Sequence, residues 1–364
     1  MFCAPAGRSR RFAFSATLPL LALRRGVWRS AAMPDSLRLP EFSDVEAAAR
    51  RIAPWAVVTP LLESPALNER AGTRVLLKPE MFQRTGSFKF RGACNRILLI
   101  PEAERAKGVV AFSSGNHAQG VAAVAALFKI PATIVMPADA PRAKIEGTRS
   151  YGATIVLYDR RKDDREAIAA EVQKKTGAML IKPFDDPFIV AGQGTSGLEM
   201  AHQSAALGVT LGQVFVPCGG GGLAAGMSLA LAGASPSTKV TAVEPENYDG
   251  MGRSMAAGSR VAAPGHTLSI ADALQAPMPG QVPFGIAQSK LHAATCVSDD
   301  ALARAVSFAF RTLKIVVEPG GAAGLAALLS GKFHRRGEPA GVLLSGGNAD
   351  PEIIAQCCAA FPQP

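Results

Sequence analysis

Gln213-Val214-Phe215-Val216-Pro217-Cys218-Gly219-Gly220-Gly221-Gly222-Leu223 is the stretch from which the fold of this chain can be read. The apolar run Gln213 to Pro217 predicts a buried strand, closed by a proline that has no N–H for a further ladder bond. Four glycines then make a turn, and the Ala- and Leu-rich run from Leu223 to Ala232 predicts an apolar helix. Strand, tight turn and helix in direct succession form one unit of a parallel sheet with crossover helices. The same unit recurs upstream. Val109 to Phe112 predicts a strand, Asn116 to Leu127 a helix, and Ala132 to Met136 a second strand before Pro137. A helix over Ala143 to Ser150, a strand over Thr154 to Tyr158, a polar-faced helix over Arg165 to Thr176 and a strand at Met179 to Ile181 continue the alternation. Downstream lie a strand at Lys239 to Val243, a long amphipathic helix over Asp299 to Leu313 and a strand at Gly341 to Leu344, with Pro-rich Ala262 to Pro283 read as ordered loop. The fold class is α/β, with parallel sheets carrying helices on both faces.

The 364 residues suit two domains, and 48 % hydrophobic residues are ample for a core. The expected division is a small mobile domain at 108–187 and a large one formed by 35–107 and 188–364. Net charge is +10, but Arg8, Arg10, Arg11, Arg24, Arg25 and Arg29 precede the first acidic residue; without those six it is +4. A basic face for nucleic acid is therefore not indicated. Residues 1–34 read as a leader or a spurious N-terminal extension. The alternatives are organelle import, if residues 1–32 are a transit peptide, and a true start at Met33. No apolar run is long enough for a spanning helix. Cysteines at 3, 94, 218, 296, 357 and 358 show neither a Cys-x-x-Cys pair nor ligand-like histidine spacing. Reduced thiols in a cytosol-like compartment are the simpler reading.

Four motifs carry the chemistry. Gly219 to Gly222 place backbone N–H groups at a helix N-terminus, which suits a phosphate; a tight left-handed turn is the other reading. There is no Gly-Lys-Ser/Thr, and no acidic residue closes a neighbouring strand at the interval a dinucleotide needs. Lys89 lies between Phe88 and Phe90 at a predicted helix start, where burial and the helix dipole both disfavour the ammonium form. Such a lysine can attack a carbonyl and shuttle a proton, whereas an ordinary lysine is solvated surface. Ser113-Ser114-Gly115-Asn116-His117 forms a second strand-to-helix turn, able to bind a carboxylate or merely to cap the helix. Ser345 follows the last core strand, where its hydroxyl could meet a ring nitrogen or cap a turn.

In this order, the four motifs resemble the fold-type II pyridoxal-phosphate enzymes, whose fold is tryptophan synthase β-like, in the branch of threonine/serine dehydratases and serine racemase. The resemblance runs from about Val57 to Asp350 and includes Thr59-Pro60-Leu61, Ala191 to Thr195, Val243 to Glu246 and Val317 to Ala322. It implies pyridoxal 5'-phosphate as cofactor. Lys89 would hold it covalently and remove the α-proton, and Gly219, Gly220, Gly221 and Gly222 would bind its phosphate. Asn116 would meet its phenolic oxygen, Ser345 its ring nitrogen, and Glu318 would lie near the ring. Ser113, Ser114, Asn116 and His117 would grip the substrate carboxylate. Serine at the ring nitrogen leaves the ring a weaker electron sink, which favours loss of a β-leaving group over transamination.

The implied activity is deamination of L-threonine and L-serine, with Lys89 and Ser114 catalytic. Three alternatives stand beside it. In a serine racemase, Ser114 would reprotonate the opposite face. A 3-hydroxyaspartate dehydratase would need an added cation, for which Arg165 is the candidate. A non-catalytic phosphate or nucleotide-binding module is the reading from another class. Relatives with a divalent-cation site take carboxylates from the segment beginning Glu-Pro. Here Glu244 is present, but position 250 is Gly where Asp is common, with Asp249 adjacent, so no metal ligands are assigned. A symmetric homodimer is the default expectation.

Overall fold

A computed structural model describes residues 38–113, 115–140, 142–331 and 337–362. The expected leader, residues 1–34, lies outside them. Among the described residues there are nine strands: β1 Val75–Pro79, β2 Val109–Phe112, β3 Ala132–Pro137, β4 Thr154–Tyr158, β5 Met179–Leu180, β6 Gln213–Pro217, β7 Lys239–Pro245, β8 Ala293–Val297 and β9 Ala340–Leu344. They form a five-stranded sheet ordered β1-β9-β6-β7-β8 and a four-stranded sheet ordered β4-β3-β2-β5. Every pairing between these strands is parallel. β1, β3, β6 and β7 each end on a proline, which stops the ladder where the chain must turn into a loop.

Helix boundaries follow local chemistry. Asp186 caps the Pro187–Ala206 helix by accepting from Phe188 N and Ile189 N at 2.8 and 3.0 Å. Asp164 does the same for Arg165–Thr176, which ends on Gly177 at φ 73°. Helices Asn116–Leu127 and Gly222–Ala234 emerge from the turns where the sequence places them. The expected helix over Asp299 to Leu313 is α-helical only to Phe308. Ala309–Leu313 is wound as a π-helix, and Lys314 at φ 60° ends it.

Three helices meet through glycines. A Cβ on Gly192 would lie 2.7 Å from Gly92 Cα, and one on Gly194 would lie 2.7 Å from the Gly226 carbonyl oxygen. Pro187–Ala206 therefore packs backbone-close against both Lys89–Leu98 and Gly222–Ala234. Behind this junction lies a buried charge cluster. Arg91 Nε and Nη2 donate to Glu80 at 2.7 and 2.8 Å, and Nη1 and Nη2 donate to Glu199 at 2.7 and 2.9 Å. Lys78 Nζ donates to Glu199 and to the Thr59 carbonyl, both at 2.7 Å.

Among the described residues no helix is long and apolar enough to cross a membrane. The described cysteines are all unpaired, and only Cys296 is exposed.

Candidate active site

The carboxyl ends of β2, β5, β6 and β9 open on one cavity, as is usual for ligands on parallel sheets. Its lining includes Ser113, Asn116 and His117 after β2, Pro183 and Phe184 after β5, Gly219 to Gly222 after β6, and Ser345 after β9, together with Lys89 and Glu318. The structure thus brings together the site residues expected from sequence, except Ser114, which lies outside the described residues.

Lys89 opens its helix and donates from Nζ to the Pro183 carbonyl at 2.8 Å. Nζ lies 5.2 Å from the centre of the Phe88 ring. Burial pulls the amine down to about 8, against the weaker opposing pull of Glu318. A usable fraction of neutral amine therefore exists near neutral pH.

The glycine turn is tightly enclosed. Gly221 has φ 91°, a conformation costly for any side chain, and a Cβ on Gly220 would sit 2.5 Å from three carbons of the Phe184 ring. Gly222 begins the helix, whose first N–H groups have no intrahelical acceptor.

Asn116 is tied at both ends of its amide. Nδ2 donates to Glu318 Oε1 at 2.5 Å, and Oδ1 accepts from Asn348 Nδ2 at 2.8 Å. Burial is the main force lifting the Glu318 carboxyl to about 7. His117 Nε2 lies 2.9 Å from the Ile181 carbonyl oxygen, so it is the protonated nitrogen and Nδ1 carries a lone pair. Burial first, then the charge of Lys89, holds the ring down to about 3 and hence neutral. The Ser113 hydroxyl accepts from Gly115 N at 3.2 Å.

Several lining residues were not drawn from the sequence. Lys144, 6 % exposed, donates from Nζ to Asp272 at 2.5 Å across the cavity. Burial pulls its pKa down, but Asp272 and Glu318 outweigh that and leave it raised. Arg165, by contrast, is the cation named from the sequence; it lines the cavity and lies 5.3 Å from the centre of the Phe112 ring. Gln193 and Phe184 also line the cavity. No sequence signal joins Lys144 to a loop residue 128 positions later.

An acidic residue does follow the glycine turn, contrary to the expectation from sequence. β7 runs beyond Val243 and contains Glu244, beside β6. Its carboxylate accepts from Met251 N and Gly252 N at 2.8 and 2.9 Å, so it caps a helix. Among the described residues no three His, Cys, Asp or Glu side chains converge as a cation site.

The family model described as "Pyridoxal-phosphate dependent enzyme" matches residues 52–346. The chain belongs to that family. Its two parallel sheets with helices on both faces are those of fold type II, in the branch of threonine dehydratases, serine racemases and hydroxyaspartate ammonia-lyases. An L-threo-3-hydroxyaspartate ammonia-lyase of Pseudomonas sp is 43 % identical over 322 residues, covering 88 % of this chain and 98 % of the relative. A serine racemase of Schizosaccharomyces pombe is 41 % identical over 326 residues, covering 89 % and 98 %. The crystal structure of a threonine deaminase from T.th. superposes with a TM-score of 0.80 at 44 % identity, covering 85 % of this chain and 99 % of that one.

The cofactor is pyridoxal 5'-phosphate, and the cavity fits it. Lys89 offers an amine of lowered pKa, and the glycine turn leaves room that any side chain would fill. Glu318 Oε2, His117 Nδ1 and Gln193 Nε2 are buried polar atoms with no partner among the described residues. All three residues line the cavity, where a bound ligand would meet them.

Proposed function

We propose that the chain deaminates β-hydroxy amino acids, L-threonine to 2-oxobutanoate and L-serine to pyruvate, each with release of ammonia. The observation that carries this is Lys89, an amine with a pKa of about 8 held at the Pro183 carbonyl of a cavity closed by the glycine turn. When bound, the cofactor supplies an electron sink for the α-carbon. Lys89 would hold it and take the α-proton, and Gly219 to Gly222 would receive its phosphate. Asn116 and Ser345 would address the ring oxygen and nitrogen, with Glu318 near the ring. Ser113, Ser114 and Asn116 receive the substrate carboxylate. His117 is assigned there by sequence too, but its free nitrogen is an acceptor, which suits a hydroxyl or ammonium proton better. Loss of the β-hydroxyl as water leaves an enamine, which tautomerises and hydrolyses to the oxo acid and ammonia.

The segment 108–187, which contains the four-stranded sheet, is the unit we take to close on substrate and exclude water. Small amino acids are the ligands that the family implies, and the chain is taken to act as a homodimer.

A second reading is favoured by the two cations at the cavity. Lys144 and Arg165 line it, and Asp272 already places a carboxylate on Lys144. A substrate with a β-carboxylate, 3-hydroxyaspartate, could displace Asp272 and would yield oxaloacetate. The test is to offer purified holoenzyme L-threonine, L-serine and L-threo-3-hydroxyaspartate separately. Oxo acid is then measured, with chiral analysis of the residual amino acid. Turnover of threonine or serine supports the first reading. Release from 3-hydroxyaspartate alone moves the assignment to the second, and D-serine without oxo acid moves it to a racemase.

A further inference from the structure

Gln193 is 1 % exposed and lines the cavity, yet half of its amide has no partner. Oε1 accepts the backbone N–H of Gly92 at 3.1 Å. That bond fixes the orientation of the amide, since the flipped form would set two donors against each other. Nε2 is therefore the free end, with two N–H bonds and no acceptor among the described residues.

Burying an unpaired amide donor is unfavourable, and an apolar side chain in this helix would avoid it. The neighbouring helix nevertheless makes room for it. Gly92 lies inside Lys89–Leu98, where glycine is less favourable than alanine. A Cβ there would run into Gln193 Nε2 and lie 2.7 Å from its Cδ.

The position of the amide points to its ligand. Gln193 stands between Gly192, packed on the helix that Lys89 begins, and Gly194, packed on Gly226 one turn into the helix that the glycine turn begins. Gln193 lines the same cavity as Lys89 and Gly219 to Gly222, where those two helices begin. We propose that Gln193 is a phosphate-binding residue, donating from Nε2 to an oxygen of the anion that the glycine turn receives. This rests on the family's cofactor and is independent of which amino acid is the substrate.

The test compares pyridoxal phosphate with pyridoxal, which lacks the phosphate, as ligands of the cofactor-stripped full-length protein. Dissociation constants are read from the visible band and from quenching of protein fluorescence. For Gln193→Met the affinity for pyridoxal phosphate is expected to fall about 10- to 100-fold, as for a lost bond to a charged group. The affinity for pyridoxal should hold, while the melting temperature of the stripped protein falls because the Gly92 N–H loses its acceptor. Equal loss for both ligands, or no loss for either, would overturn the proposal. Gln193→Glu keeps the oxygen that Gly92 needs but presents a negative charge, so it should lose the phosphate ligand still more selectively. Should the Met variant fail to fold, the Glu variant decides by the same ratio. A wild-type protein that binds neither ligand would sink the cofactor fit itself, separately from Gln193.

Discussion

Lys89 was legible at the residue scale because two phenylalanines and a helix start surround it in the sequence itself. Its pKa of about 8 follows mainly from burial. Capture of pyridoxal phosphate by the stripped protein should therefore speed up as pH rises through about 8 and then level off, measured by stopped-flow absorbance. The stability sign follows from the same shift. The folded pKa lies below the ordinary 10.5, so the unfolded chain binds the proton better. The cost to the unloaded fold is fully present below about 8 and disappears as pH approaches 10.5. Lys89→Ala should reduce turnover by at least about 10³-fold, with the cofactor band shifted to that of the free aldehyde. His117 should not titrate between about pH 5 and 9, because it is held near 3; proton-detected NMR of its ring would check this. Its acceptor nitrogen and the Lys144–Asp272 pair were not legible, since both depend on partners far along the chain.

At the scale of elements, the glycine turn and the Asn116 helix start were readable because strand, turn and helix are written contiguously. What encloses them was not. Phe184 covers Gly220 from a different strand end, so the need for glycine at position 220 comes from a tertiary neighbour. Gly220→Ala should thus act on both stability and loading. A Cβ 2.5 Å from the ring forces a shift, with an expected loss of about 1–3 kcal/mol in urea unfolding and a weaker affinity for pyridoxal phosphate by equilibrium titration. The long helix over Pro187 to Ala206 is hidden in the sequence for a related reason. Its three glycines, Gly192, Gly194 and Gly197, suppress the helical signal locally, and only their close approach to neighbouring helices explains them.

Across the whole molecule, the helix of Lys89 is held in place by charges that the sequence scatters. Arg91 and Lys78 are wholly buried and meet Glu80, also buried, and Glu199. Removing one partner strands the others, so Arg91→Met should cost about 3–5 kcal/mol in urea unfolding. A control at the exposed Lys175–Glu171 pair should leave the unfolding midpoint unchanged. Burial would raise Glu80, but Arg91 and Lys78 outweigh it and its pKa falls below 4.5. Its contribution is therefore present above that value and lost as pH falls through the lower, folded one.

The sequence alone determined the parallel α/β layout, the lysine, the glycine turn and the family. Each of these lies in a short contiguous run whose periodicity or turn chemistry is local. Tertiary structure decided which side chains share the cavity, their protonation, and the free ends of Gln193 and His117. Burial and hydrogen-bond partners are properties of residues brought together from distant positions, and no local pattern encodes them.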